Sequence, residues 1–338
     1  MAAFTSGTGA TPAKTFWAFA AIYLIWGSTY LAIRFAVHSM PPFFLAAVRF
    51  LLAGGALYLW ARWRGERSPA GRTWLAAFGL GTLFFVLGNG LVVWAEVRVP
   101  SARTALLAST SPIWTALLEG GLAGGRLPRP RVAVGIALGF AGLMILASPT
   151  DEVADTVPLS GLLALLGASA AWALGSVISH RRHLDASPAM ATSIKMLGGG
   201  AQLALVSLVA GEWGTVGAAE VSWSAWAALA YLVVFGSVIG FTAFTYLLRT
   251  TSPQAVATSA YVNPVVALAL GWGLGGEQVT GRMLLGATVV LSSVLLVRWV
   301  ERPVQVEAGD VAVVETGEWE AIGGGSPERA SRDGTPPG

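Results

Sequence analysis

The stretch FWAFAAIYLIWGSTYLAI, residues 16–33, contains no charged side chain. A helix of about 20 apolar residues crosses the hydrocarbon core of a bilayer, which is about 30 Å thick. The stretch therefore predicts a membrane-spanning helix. Its apolar run is too long for a cleaved signal peptide, and Arg34 follows it where a cleavage site would need small residues. We expect this segment to stay in the membrane.

Nine further apolar segments follow, so the sequence predicts an all-α integral membrane protein with ten transmembrane helices. Only 12% of the residues are charged and 54% are hydrophobic, whereas an ordinary soluble domain is about 25% charged. The predicted spans run from Phe16 to Ile33, Pro42 to Ala61, Trp74 to Ala95, Ala102 to Leu118, Val132 to Ala147, Leu159 to Ser179, Ala189 to Ala210, Trp223 to Leu248, Gln254 to Leu274 and Met283 to Val300.

The short loops on the two sides of the predicted bundle differ in charge. One side carries Lys14, Arg62, Arg64, Arg67, Arg72, Arg126, Arg129, Arg131, Arg181, Arg182, Arg249, Arg298 and Arg302, and the other carries Arg34, Arg98, Arg103 and Arg282. Because Lys and Arg concentrate in cytoplasmic loops, we expect both termini to be cytoplasmic in a cell (inner) membrane. The segment 301–338 is acidic and rich in Gly and Pro, which predicts a disordered tail.

The composition also bears on partners. The net charge of +3 is spread over short loops without a basic stripe, so we expect no nucleic-acid partner. The chain contains no cysteine, which excludes thiolate catalysis and Cys-ligated metals, and no metal or other cofactor is expected. The expected partners are the lipid bilayer and a small-molecule substrate. The sequence leaves the oligomeric state open.

The two halves of the chain have similar sequence patterns. The pattern Trp26-Gly27-Ser28, Pro42, Arg49, Gly54-Gly55 in the first half corresponds to Leu174-Gly175-Ser176, Pro188, Lys195, Gly199-Gly200 in the second. We therefore expect two repeats of five helices, at 16–147 and 159–300, joined by an external linker at 148–158. An odd number of helices inverts the second copy, and carriers built this way bind substrate near the midplane between their repeats.

Several short motifs resemble those of the drug/metabolite transporter superfamily. They are Ile25-Trp26-Gly27-Ser28-Thr29-Tyr30, Val48-Arg49-Phe50, Gly88-Asn89-Gly90, Ala95-Glu96, Ala171-Trp172, Gly175-Ser176-Val177, Ala260-Tyr261-Val262-Asn263-Pro264-Val265-Val266 and Gly276-Glu277. Their order over residues 16–300 resembles the EamA-type family and its branch of YedA-like inner-membrane transporters. The resemblance implies export of amino acids, metabolites or toxic small organic molecules from a central cavity.

Arg49 and Lys195 are the leading candidates for substrate contact, because ionisable side chains within a membrane usually face a cavity or a partner. Arg49 could bind an anionic substrate group or brace neighbouring helices, and either side chain could instead extend to the headgroup region. Further candidates for a cavity with apolar walls and a few polar groups are Trp26, Ser28, Tyr30, Asn89, Trp172, Ser176, Tyr246, Tyr261 and Asn263.

Two prolines lie among small polar residues, Pro112 in the fourth span and Pro264 in the ninth. Proline removes a helical hydrogen bond, so each could be a conformational hinge or a static kink whose polar groups bond across packed helices. No acidic residue lies at the centre of a predicted span. Glu96 is the best candidate for proton coupling, and its alternative is a solvated charge at a helix end.

Other classes of function compete with a transporter. Ser28, Ser176 and His180 could suggest an integral membrane enzyme, but His180 precedes Arg181-Arg182 at a helix end and the sequence has no H-E-x-x-H motif. A sensor would need a folded output domain, which the tail does not supply. An uptake carrier of the same fold stays open, because inverted repeats are nearly symmetric with respect to direction.

Overall fold

The computed structural model describes residues 11–99, 101–122, 130–147, 158–215, 221–275 and 281–300. Every regular element within these ranges is a helix. The predicted external linker, except Pro158, and the predicted disordered tail lie outside the described residues.

Twelve long or short helices and one 3₁₀ turn, Glu212–Gly214, make up the described chain. In order they are α1 (Pro12–Val37), α2 (Pro42–Trp63), α3 (Gly71–Glu96), α4 (Ser101–Ala108), α5 (Ser111–Leu122), α6 (Pro130–Ala147), α7 (Leu159–Arg181), α8 (Pro188–Val209), α9 (Trp223–Thr250), α10 (Pro253–Ala257), α11 (Ser259–Gly275) and α12 (Gly281–Val300). Six of them, namely α1, α2, α3, α7, α8 and α9, are long and apolar enough to cross a membrane. This confirms the all-helical membrane class, whereas the total of ten crossings stays a prediction.

Helix starts follow from local sequence. Thr11, Ser187 and Ser252 each precede a proline, and their side chains accept a hydrogen bond from the backbone N–H three residues later, at 3.1 to 3.4 Å. A hydroxyl cap satisfies a free donor of the first turn, and proline at the first helical position lacks the N–H that would be unpaired there. These caps begin α1, α8 and α10.

The fourth and ninth predicted spans are not continuous helices, which corrects the sequence prediction. The chain leaves the helix at Ser109 and Thr110 between α4 and α5, and at Thr258 between α10 and α11. Pro112 follows the first break directly, as expected for a residue that clashes with the preceding turn. Pro264 instead lies inside α11, so the second break is not at the proline that the sequence singled out.

The carbonyl groups that the two prolines free are paired across helices. Ser169 Oγ of α7 donates to Ala108 O, four residues before Pro112, at 3.1 Å. Ser109 Oγ donates to Ala260 O, four residues before Pro264, at 2.6 Å. Hydroxyls on neighbouring helices commonly satisfy backbone groups in this way in membranes. The described contacts therefore favour braced kinks at both prolines.

Small residues let the central helices approach closely. A Cβ atom placed on Gly54 of α2 would lie 2.9 Å from Met196 Cβ, and one placed on Gly200 of α8 would lie 3.0 Å from Leu51 Cγ. Glycine at such contacts allows membrane helices to pack backbone against backbone. One glycine of each pair in the sequence repeat, Gly54 and Gly200, thus lies at the α2–α8 interface, whereas Gly199 packs against α3.

The helices α3 and α9 each contain a π-helical segment. These segments are Thr82–Gly90 in α3 and Leu232–Ile239 in α9. A π segment shifts the hydrogen-bond ladder by one residue, and such segments often occur at functional sites. Both lie beside the cavity described below.

Candidate functional site

An open cavity of about 110 Å³ lies between the long helices. Residues 26–111 and residues 168–263 both contribute to its walls, so the two halves of the sequence meet here. Its polar lining residues are Thr29, Tyr30, Arg49, Asn89, Ser111, Ser169, Ser259 and Asn263, and its large apolar ones are Trp26, Ile33, Val92, Trp172 and Phe241. Apolar walls with a few convergent polar groups are typical of small-molecule sites.

Arg49 supplies a cation to this cavity from α2. Its side chain is only 3% exposed. Its Nε donates to Ser237 Oγ at 2.8 Å, and its Cζ lies 4.8 Å from the centre of the Phe50 ring. These contacts fix the guanidinium, and no described carboxylate forms an ion pair with it. The guanidinium can therefore hold a carboxylate through two parallel hydrogen bonds.

Asn263 supplies an acceptor to the same cavity from α11. Its side chain is buried, and its Oδ1 has no hydrogen-bond partner in the described structure. It lies beside Tyr30 of α1, which also lines the cavity. A buried amide oxygen without a donor is unfavourable by about 1–3 kcal/mol, so a ligand N–H or O–H would stabilise this position.

The two π-helical segments hold lining side chains through backbone carbonyls. Trp26 Nε1 donates to Gly236 O at 3.1 Å, and Asn89 Nδ2 donates to Phe84 O at 2.8 Å. Both carbonyls belong to the π-helical segments. The altered hydrogen-bond ladder thus fixes one aromatic and one amide side chain beside the cavity.

Five aromatic rings form a cluster against one wall of the cavity. They are Trp26, Phe84, Trp172, Phe241 and Phe244, and neighbouring ring centres lie 5.1 to 6.2 Å apart. Three of them line the cavity, while Phe84 and Phe244 are buried behind those three. Edge-to-face aromatic contacts add about 0.5–1.5 kcal/mol per pair beyond burial.

Glu96 ends α3 one turn after Val92, which lines the cavity. Both carboxylate oxygens are buried and have no hydrogen-bond partner in the described structure. The charges of Arg34 and Arg49 act on it. The alternative of a solvated charge at a helix end is therefore wrong, because neighbouring helices cover the carboxylate.

The predicted site residues divide into two groups. Trp26, Tyr30, Arg49, Asn89, Trp172 and Asn263 line the central cavity. Five others do not, since local bonds or packing hold their side chains elsewhere. Ser28 Oγ pairs with the Tyr231 hydroxyl, Ser176 Oγ donates to Trp172 O, the Tyr261 hydroxyl donates to Ile136 O, Tyr246 packs against the apolar core, and Lys195 faces a different pocket.

The sequence prediction missed Ser237 and Phe241, both on α9. Ser237 receives the Arg49 hydrogen bond and Phe241 forms part of the cavity wall. The available signal was a serine within the otherwise apolar stretch around Gly236 and Gly240. Among the described residues, no group of three His, Asp or Glu side chains could hold a metal ion.

Comparison with known proteins identifies the family. The sequence profile of the EamA-like transporter family matches residues 14–148 and 159–299. "Uncharacterized inner membrane transporter YedA" of Escherichia coli K12 is 42% identical over 83% of this chain and 90% of its own length. "Probable amino-acid metabolite efflux pump" of Salmonella typhimurium is 26% identical over 81% and 91%, respectively.

A solved crystal structure has the same fold. It superposes with a TM-score of 0.71 at 22% sequence identity and covers 88% of this chain and all of its own. At this identity the likeness concerns the fold alone. The family match and the relatives carry the functional assignment, and the chain belongs to the EamA-like transporter family, whose members are membrane transporters and not enzymes.

Proposed function

We propose that this transporter exports small organic molecules, namely amino acids, metabolites or drugs, across the inner membrane. The observation that carries the proposal is the open cavity, which both halves of the chain line and which presents Arg49 and Asn263 to its interior. The name of the Salmonella typhimurium relative, an amino-acid metabolite efflux pump, supports the same direction and substrate class.

The cavity chemistry favours a substrate with an anionic group and an apolar body. The Arg49 guanidinium binds the anionic group, since charge-assisted hydrogen bonds to Arg are strong and directional. Asn263 Oδ1 accepts a hydrogen bond from an amine or hydroxyl of the same molecule. Trp26 and Trp172 cover its apolar part. An α-amino acid combines all three features.

Transport follows from rocking of two inverted five-helix repeats, at 16–147 and 159–300, around this cavity. Two observations support this arrangement, namely the similar sequence patterns of the two halves and the corresponding helix breaks before α5 and α11. The ten apolar segments give ten crossings, and the distribution of Lys and Arg in the loops places both termini in the cytoplasm. A single Cys at Ala70 should then be labelled only from the inside, and one at Thr215 only from the outside.

Energy coupling is proposed at Glu96. A buried acid near a transport cavity is a common proton carrier, and Glu96 lies one turn from the lining residue Val92 with both oxygens unpaired. Arg49 and Arg34 are the cations whose charges act on it. Proton binding at Glu96 would thereby change the electrostatic potential at the substrate's anionic group.

Export is tested by survival and by accumulation. A host that overexpresses the chain is grown against a panel of amino acids, amino-acid analogues and cationic drugs, and the intracellular concentration of each compound is measured. We expect wild type and the exposed-arginine control Arg64→Met to lower that concentration for one class of compound. Arg49→Met should leave the intracellular concentration unchanged, and Asn263→Ala should lower it only weakly.

The same measurement also determines the direction of transport. A higher intracellular concentration with wild type would indicate uptake and contradict export. Equal export by wild type and Arg49→Met, at matched membrane expression, would contradict the assignment of the anionic subsite to Arg49. Partial activity of Arg49→Lys is expected, because lysine keeps the charge but loses the two-pronged hydrogen bonding.

A further inference from the structure

Lys195 of α8 is a buried basic residue that does not line the central cavity. It is 4% exposed. Its Nζ makes a long hydrogen bond of 3.4 Å to Thr245 Oγ1 and lies 5.4 Å from the centre of the Phe84 ring. An ammonium has three donors, and no described carboxylate pairs with this one. A buried charge is unfavourable unless it is paired. A protonated Lys195 therefore requires an anionic partner.

Lys195 faces a small pocket at the end of the bundle where α7, α8 and α9 meet. Arg182, His183 and Arg249 line the same pocket, and no acidic residue of the described chain does. The charge of Arg249 acts directly on Lys195. We call this space the basic pocket. Like charges gathered in one pocket repel each other, and an anion would relieve that repulsion.

The basic pocket also contains a hydroxyl without a partner. Ser179 Oγ is buried and has no hydrogen-bond partner in the described structure, and Ser179 lines the pocket. Arg249 Nη2 donates to Ala186 O at 2.7 Å and to Leu184 O at 3.3 Å. These bonds hold the loop after α7 in place beside the pocket. The pocket therefore has walls held by hydrogen bonds, and the buried Ser179 hydroxyl has no partner in the described structure.

We propose that the basic pocket is an anion-binding site, which takes a carboxylate or phosphate group on Lys195 and Ser179. The ammonium and the hydroxyl both donate to anionic oxygens, and Arg182 and Arg249 add to the positive potential. The group could belong to a soluble molecule or to an anionic lipid headgroup, since both present the same oxygens. The experiment below separates these two sources.

The basic pocket is separate from the central cavity. The two share no lining residue. Phe84 lies between them, because it contacts Trp172 of the cavity wall at 5.2 Å between ring centres and also lies beside Lys195. Anion binding at Lys195 can therefore be measured without transport through the cavity.

The test uses the full-length chain in phosphatidylcholine nanodiscs, with inorganic phosphate added at constant ionic strength and pH. The melting midpoint of wild type should rise with phosphate, and Lys195→Met should weaken the apparent phosphate affinity about tenfold or more. Lys195→Arg should keep it, and so should Arg64→Met, which removes an exposed arginine at the end of α2. Because Met replaces a buried charge with an apolar chain of similar length, Lys195→Met should still fold, and its midpoint without phosphate verifies this.

The second arm adds phosphatidylglycerol to the nanodiscs. If this lipid raises the midpoint of wild type, but not that of Lys195→Met, and removes the response to phosphate, the anion is a lipid headgroup. If the phosphate response persists, the anion is a soluble one. An equal response of wild type and Lys195→Met, or no response of wild type to either probe, overturns the proposal. Neither result bears on export through the Arg49 cavity.

Discussion

Replacing Gly236 with alanine should move the Arg49 guanidinium and weaken substrate binding without unfolding the protein. The new Cβ would lie 2.9 Å from Arg49 Nη2 and 3.1 Å from Thr29 Cγ2, whereas ordinary heavy-atom contacts begin at about 3.5 Å. The end of a flexible side chain gives way first, so Arg49 should shift by roughly 0.5 Å or more. Its hydrogen bond to Ser237, now 2.8 Å, would lengthen beyond good geometry.

The size of the effect follows from the bond between the displaced guanidinium and the substrate's anionic group. A hydrogen bond to a charged group contributes about 1.5–3 kcal/mol, and each 1.4 kcal/mol is about tenfold in affinity. We therefore expect KM for an exported anionic compound to rise about 10- to 100-fold in inverted membrane vesicles. The melting midpoint should fall only slightly, because alanine in a helix gains about 0.5–1 kcal/mol over glycine, which offsets part of the lost Arg49–Ser237 hydrogen bond.

Gly79→Ala in α3 is the matched control, since a Cβ there meets nothing within 4 Å. It should leave KM unchanged and raise the melting midpoint slightly. If Gly236→Ala binds and exports like wild type, the position of the Arg49 guanidinium does not determine affinity.

Three further predictions concern helix packing, the kinks and coupling. Gly27→Ala should destabilise the protein by about 1–3 kcal/mol, because its Cβ would lie 2.5 Å from Val266 Cβ; a melting midpoint equal to that of wild type would contradict this. Ser109→Ala should lower the midpoint by removing the partner of Ala260 O, at about 1–3 kcal/mol, and no change would mean that another group satisfies the carbonyl. Glu96→Gln should abolish export driven by a proton gradient in vesicles but preserve exchange of labelled compound, and full proton-driven export would exclude Glu96 as the coupling site.

Hydropathy alone was sufficient to place the long helices, because a bilayer imposes one length and one composition on each crossing. The six long helices lie where the sequence predicted them. The breaks before α5 and α11 were not predictable at residue resolution. Proline marks a weakened turn, but the bonds from Ser169 and Ser109 to freed carbonyls depend on which helices are neighbours.

The candidate site was predictable where a polar residue interrupts an apolar span. Arg49, Asn89 and Asn263 are of this kind, and all three line the cavity. Ser237 was missed because a π-helical segment turns α9 by one residue, a change that leaves hydropathy unaltered. Lys195 shows the limit of the repeat argument, since its match to Arg49 in sequence does not place it on the same cavity.

Labelling of Ala257→Cys shows most directly whether substrate occupies the Arg49 cavity. The chain has no cysteine of its own, so this single thiol in the cavity wall reports without background. A small, water-soluble thiol reagent should modify this cysteine, and an exported compound should slow the reaction. The control is Leu163→Cys, at a position 59% exposed on the outside of α7. It should not react, because lipid and not water surrounds the outside of a membrane-spanning helix. If no exported compound slows the labelling of Ala257→Cys, substrate does not occupy this cavity.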